Sequence, residues 1–78
     1  MRLEIITPDA NVFEGVVELV QLPGIDGSFE IMNRHAAMIS VLKAGKIRAV
    51  DAEKKELLFD IQGGVVEVLQ DRVLILAD

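Results

Sequence analysis

The sequence predicts an all-β fold, a flattened antiparallel β-sandwich or barrel of about 8–10 short strands. Three observations carry that expectation. Short apolar runs follow one another along the whole chain, β-branched side chains dominate them, and clusters of Gly, Pro, Asn and Asp interrupt them. The interruptions recur at intervals of roughly 8 to 12 residues, the rhythm of sandwiches and barrels rather than of βαβ units. The chain has 78 residues, which leaves room for a single domain spanning residues 1–78.

Side chains two apart on a strand point the same way, so each alternating set marks one buried and one wetter face. Leu3 and Ile5 alternate with Arg2 and Glu4. After the turn residues Pro8 to Asn11, Phe13, Val17 and Leu19 alternate with Glu14, Val16, Glu18 and Val20. Pro23 to Gly27 reads as a turn, and beyond it Phe29 and Ile31 oppose Ser28 and Glu30. Met32 to Ala37 shows no alternation and reads as an irregular loop of the kind that carries function.

Lys43-Ala44-Gly45 reads as a turn before Ile47 and Ala49, which oppose Lys46 and Arg48. Ala52 to Leu58 is made of good helix formers, but Phe59 and Ile61 continue the strand parity of Leu57, so a hairpin turning at Asp51 to Glu56 is expected. Gln62-Gly63-Gly64 reads as a tight turn or bulge between strands, because no helix start or Lys follows to make a phosphate cradle. Gln70-Asp71 is a further turn. Val73-Leu74-Ile75-Leu76 does not alternate, which predicts a central strand covered on both sides.

Cys is absent, so no disulfide or thiolate metal site is available. No apolar run approaches the roughly 20 residues of a membrane-crossing helix. The start Met1-Arg2-Leu3-Glu4 lacks a signal-peptide core, and export is not expected. Net charge is −5, distributed as −5 over residues 1–30, +4 over 31–50 and −4 over 51–78. The overall sign argues against nucleic-acid binding. The basic segment with Arg34, Lys43, Lys46 and Arg48 fits either a solvated strand or a surface matched to a charged partner.

Candidates for catalysis are few. His35 is the one imidazole, with Thr7, Ser28 and Ser40 as the hydroxyls. A hydrolase would need His35 beside Ser28 or Ser40. No second ligand stands at zinc spacing from His35, so no metal or other cofactor is expected. A carrier domain of the lipoyl or biotinyl type is the alternative, since Lys54 or Lys55 would sit at an exposed hairpin tip. The flanking Glu53 and Glu56 are unlike the small or Met residues such carriers use.

Five blocks follow in order: Val17-Glu18-Leu19-Val20-Gln21-Leu22-Pro23-Gly24, Gly27-Ser28-Phe29-Glu30-Ile31, His35-Ala36, Gly45-Lys46-Ile47-Arg48, and Gly63-Gly64-Val65-Val66-Glu67-Val68. With the terminal Val73-Leu74-Ile75-Leu76-Ala77-Asp78, their order and spacing resemble the N-terminal β-sandwich domain of the epsilon subunit of F-type ATP synthases. That resemblance implies a non-catalytic rotor subunit at the foot of the central stalk. Its partners would be the gamma subunit and the c-ring, and its place the cytoplasmic face of a bacterial plasma membrane, held there through the complex. It implies a ring-facing set of Ile25, Asp26, Gly27, Ser28 and His35, and a gamma-facing set of Thr7, His35 and Ser40. Family members often carry Pro-Gly before the His and Pro two residues after it, where this chain has Asn33-Arg34 and Ala37. They also continue past the equivalent of Ala77-Asp78 into a helical hairpin.

Overall fold

In the computed structural model, which describes residues 1–78, the apolar alternation becomes seven strands and no helix. These are β1 (Arg2–Ile6), β2 (Asn11–Val16), β3 (Leu19–Gly24), β4 (Gly27–Met32), β5 (Met38–Val50), β6 (Glu56–Leu69) and β7 (Arg72–Ala77). They form one hydrogen-bonded sheet in the order β2-β1-β7-β6-β5-β3-β4.

That sheet folds over on itself along β5 and β6, which run 13 and 14 residues. Each changes its buried face part-way along. In β5 the buried Leu42 gives way to buried Ile47 and Ala49, and in β6 Ile61 gives way to Val66 and Val68, a switch from one parity to the other. The ladder between the two strands skips Ala44 and Gln62 at the switch. The first half of β5 and second half of β6 lie with β7, β1 and β2, while the other halves lie with β3 and β4. Phe13 of β2 meets Phe59 of β6 across the gap, ring centroids 5.3 Å apart.

Gly63 and Gly64 make the fold-over possible. Their φ angles are +144° and +151°, a region L side chains rarely adopt. A Cβ on Gly64 would collide with the Leu76 carbonyl and with the Ala77 backbone.

Between the layers lie 16 buried hydrophobic residues and no buried polar side chain. Leu3, Ile5, Val66, Val73 and Ile75 come from one layer, and Val20, Leu22, Ile31, Ile47 and Ala49 from the other. Burying each of the larger ones contributes about 1.5–3 kcal/mol. The β5–β6 hairpin falls where the sequence predicts one, and Asp51 shapes it, its Oδ1 accepting from the Glu53 and Lys55 amides at 2.9 Å each.

The all-β sandwich stands, with three differences of detail. The expected 8–10 short strands are seven, because Lys43-Ala44-Gly45 and Gln62-Gly63-Gly64 are bends inside β5 and β6 rather than turns that end them. The sheet is not wholly antiparallel. β1 and β7 pair in parallel, side by side from the same end, where the Arg2 amide donates to the Asp71 carbonyl at 2.9 Å. The parity expected through residues 13–20 breaks at Val17-Glu18, where the chain leaves one layer for the other, so Val17 and Val20 are both buried.

Candidate docking surface

Residues paired across strands share a face, and the registers therefore map the two outer surfaces. On the layer of β1, β2 and β7, Val41 pairs with Val65, Val65 with Leu76, and Leu76 with Ile6. This is an apolar row four strands wide. Val41 is 52% exposed, Val65 38% and Leu76 50%, and Ile6 is half-buried. Ile39 and Leu69 extend the patch and are exposed as well. β7 is interior in the strand order, as its sequence predicts, but it is covered on one side only.

The opposite outer face is mainly polar, with Met32 and Leu58 its exposed apolar side chains. Arg48 donates to Gln21 Oε1 at 3.0 Å and to Glu56 Oε2 at 3.1 Å, and stands 3.7 Å from Glu30. Lys46 holds Asp60 at 2.8 Å. The basic run of the sequence is thus largely matched by acids of neighbouring strands, which decides for the solvated strand at Lys46 and Arg48. Lys43 and Arg34 stay outside any ion pair.

The β3–β4 hairpin tip reaches over to the apolar side, where the Ile25 amide donates to the Val41 carbonyl at 3.3 Å. Ile25, Asp26 and Gly27 share a shallow groove of about 420 Å³ with Ile39, Ser40 and Val41. Gly27 has φ +133°, which lets the two-residue turn close. Ser28 faces the other way and accepts from Gln21 Nε2 at 3.1 Å.

Of the sequence-predicted residues, the structure gathers Ile25, Asp26, Gly27 and Ser40 at one end of the apolar row. Thr7 lies at the other end. Its hydroxyl accepts from the Ala10 amide at 3.2 Å in the β1–β2 turn, and it shares a depression with Leu76 and Gly64. His35 stands in the irregular loop 33–37, its Nδ1 2.7 Å from the Ala36 carbonyl. No hydrogen bond joins it to Ser28 or Ser40. Asn33 ties that loop to the start of the chain by accepting from the Met1 amine at 2.8 Å. Arg34 sits at φ +67°, a left-handed conformation in which Gly is the easiest residue.

A family model described as "ATP synthase, Delta/Epsilon chain, beta-sandwich domain" matches residues 1–78. The ATP synthase epsilon chain of Chlorobium limicola is 40% identical over 99% of this chain and 88% of its own length. The chain belongs to the ATP synthase epsilon-chain family. The epsilon chain of Campylobacter concisus is 41% identical over all of this chain, which spans 60% of that relative's length. Among solved structures, a chain of the Euglena gracilis mitochondrial ATP synthase (OSCP/F1/c-ring) superposes with a TM-score of 0.90 at 18% identity, covering 96% of this chain and 48% of that one. One from the Tetrahymena thermophila mitochondrial ATP synthase central stalk and c-ring gives 0.78 at 22% identity, over 97% and 61%. At those identities the superpositions establish a shared fold.

The family assignment displaces the carrier reading of Lys54 and Lys55. Lys54 instead makes a loose ion pair with Glu18 at 3.4 Å. Sequence reasoning named the epsilon chain's tip but missed Ile6, Val41, Val65 and Leu76. Their signal was present: Val65-Val66 and Leu74-Ile75-Leu76 are apolar on both parities, which core packing on one face does not require.

Proposed function

We propose that this epsilon-family chain is a non-catalytic central-stalk subunit of a rotary ATP synthase, joining the gamma subunit to the c-ring and so coupling proton flow to ATP synthesis. The observation that carries the reading is the exposed apolar row Val41–Val65–Leu76–Ile6, flanked by the hairpin tip. A rotor part transmits torque through packed surfaces, which calls for apolar area and a stiff core rather than reacting groups. The core supplies stiffness and the row supplies area.

In this reading the row faces gamma, with Thr7 and Ser40 at its two ends and His35 on the neighbouring loop. Ile25, Asp26, Gly27 and Ser28 at the hairpin tip, with His35, face the ring. The chain is then peripheral to the cytoplasmic face of a bacterial plasma membrane, held by its protein partners and needing no cofactor, nucleic acid or small ligand. Tagged chain expressed in its own cells, recovered from solubilised membranes and analysed by mass spectrometry, should bring down both gamma and the c-ring. Recovery of neither would overturn the reading.

A further inference from the structure

Three strand carboxylates stand on the apolar outer face, Glu4, Glu14 and Glu67, with Asp26 and Asp78 exposed at its margins on the hairpin tip and after β7. Arg72 holds Glu4 at 3.4 Å and Arg2 holds Glu14 at 2.6 Å. Glu67 has no cation and no hydrogen-bond donor from the chain itself. Its cross-strand partners are Ile39 and Leu74, and Val65 and Leu69 flank it along β6. It is half-buried among them. A half-buried carboxylate with no counter-ion of its own, set among apolar side chains, leaves its charge available to a cation that a partner brings.

Beside it runs a shallow trough of about 340 Å³ lined by Ala37, Met38, Ile39, Val68 and Leu69, with Glu67 its one charged member. An apolar trough ending on a carboxylate has the shape and chemistry of a receptor for a long cationic side chain. The methylene stem of Lys or Arg covers apolar surface while its head meets the acid.

We infer that Glu67 is the polar anchor of the docking face, and that gamma meets it with a Lys or Arg whose stem lies between Ile39 and Leu69. The inference rests on the reading that this face receives gamma, and it adds the chemistry that sets register and selectivity. A purely apolar row permits sliding, and one charge pair inside it fixes the position.

The test is binding of the full chain to an ATP synthase complex stripped of its epsilon subunit, by surface plasmon resonance at several salt concentrations. Glu67→Gln keeps the shape and removes the charge, and should bind about tenfold more weakly with a shallower salt dependence of the association rate. Glu67→Lys should lose about a hundredfold or more, and a Lys→Glu or Arg→Glu change in gamma that restores it identifies the cation. Leu76→Asp serves as the control for the face. Wild-type affinity of Glu67→Gln with loss of binding in Leu76→Asp would overturn the anchor and leave the docking face standing. Undiminished binding by all three variants would remove the face and the anchor together. Unchanged melting temperature of Glu67→Gln keeps folding out of the comparison.

Discussion

Across one outer face of the sandwich Val41, Val65, Leu76 and Ile6 stand in a row. Across the other, Glu30, Gln21, Arg48 and Leu58 occupy a row of the same width. Both rows are four strands wide, and β5 and β6 contribute to both. They differ in what remains unsatisfied. The polar groups of the second row close on themselves, since Arg48 reaches Gln21, Glu56 and Glu30, and Leu58 is the row's one apolar member. The apolar row has no internal partner to find, and only another surface can remove it from water. Two faces drawn from the same strands thus have opposite relations to solvent.

The most destructive way to break this comparison is at the place where one strand serves both faces. Gly64→Val puts a branched side chain at φ +151°, against the Leu76 carbonyl and Ala77 backbone. The clash is with the backbone of the neighbouring strand β7, which cannot swing away as a side chain can. A loss of about 3 kcal/mol or more is expected, read as a collapse of the urea midpoint or failure to fold. Stability within about 1 kcal/mol of wild type would show that the fold-over does not depend on that glycine.

A matched pair of substitutions sharpens the comparison. Leu76 and Leu58 are the same residue at similar exposure, 50% and 55%, on opposite faces. Leu76→Asp should weaken gamma binding about a hundredfold or more, since it places a charge at the centre of a desolvated patch. Leu58→Asp should leave binding unchanged. Neither should cost more than about 1 kcal/mol of folding stability, because both side chains already meet water. Equal effects on binding would mean the two faces are not distinguished by their partner.

Much of this was legible beforehand, for reasons particular residues make plain. Leu3 with Ile5, Ile47 with Ala49 and Leu57 with Phe59 and Ile61 alternate cleanly, and each set faces inward as read. The hairpin at Asp51 to Glu56 is legible from that last parity, whereas the Asp51 carboxylate that accepts from its amides is visible only in the structure. The bends at Ala44 and Gly63-Gly64 read as strand ends in the sequence, since glycine marks a turn and a sharp fold within a strand equally well. The apolar row was hidden for a different reason. Leu76 and Ile75 look alike in sequence, and a strand apolar on both sides predicts burial without saying whether its own chain or a partner supplies the cover. Ile25, Asp26, Gly27 and Ser40 share one groove although the resemblance divides them between the ring-facing and gamma-facing sets, Ser28 turns away to Gln21, and His35 lies in a loop whose left-handed Arg34 no periodicity could reveal.

The smallest expected effects test whether the polar face is self-contained. Arg48 is one-third exposed and has three partners, whereas Lys46 and Asp60 are 63% and 75% exposed in a single pair. An exposed pair gains little, because the Coulomb attraction is screened and two long side chains must be held in place. Arg48→Met should therefore cost about 1 kcal/mol in urea denaturation, since it takes from Glu30 and Glu56 the cation they share. Lys46→Met should cost no more than about 0.5 kcal/mol. Raising salt from about 0.1 to 1 M shortens the screening length from roughly 10 to 3 Å and should narrow the gap between the two variants. Gamma binding should be unchanged in both. A loss of binding in Arg48→Met at unaltered stability would mean that its guanidinium also meets a partner, and the contrast between a self-satisfied face and a docking face would no longer hold.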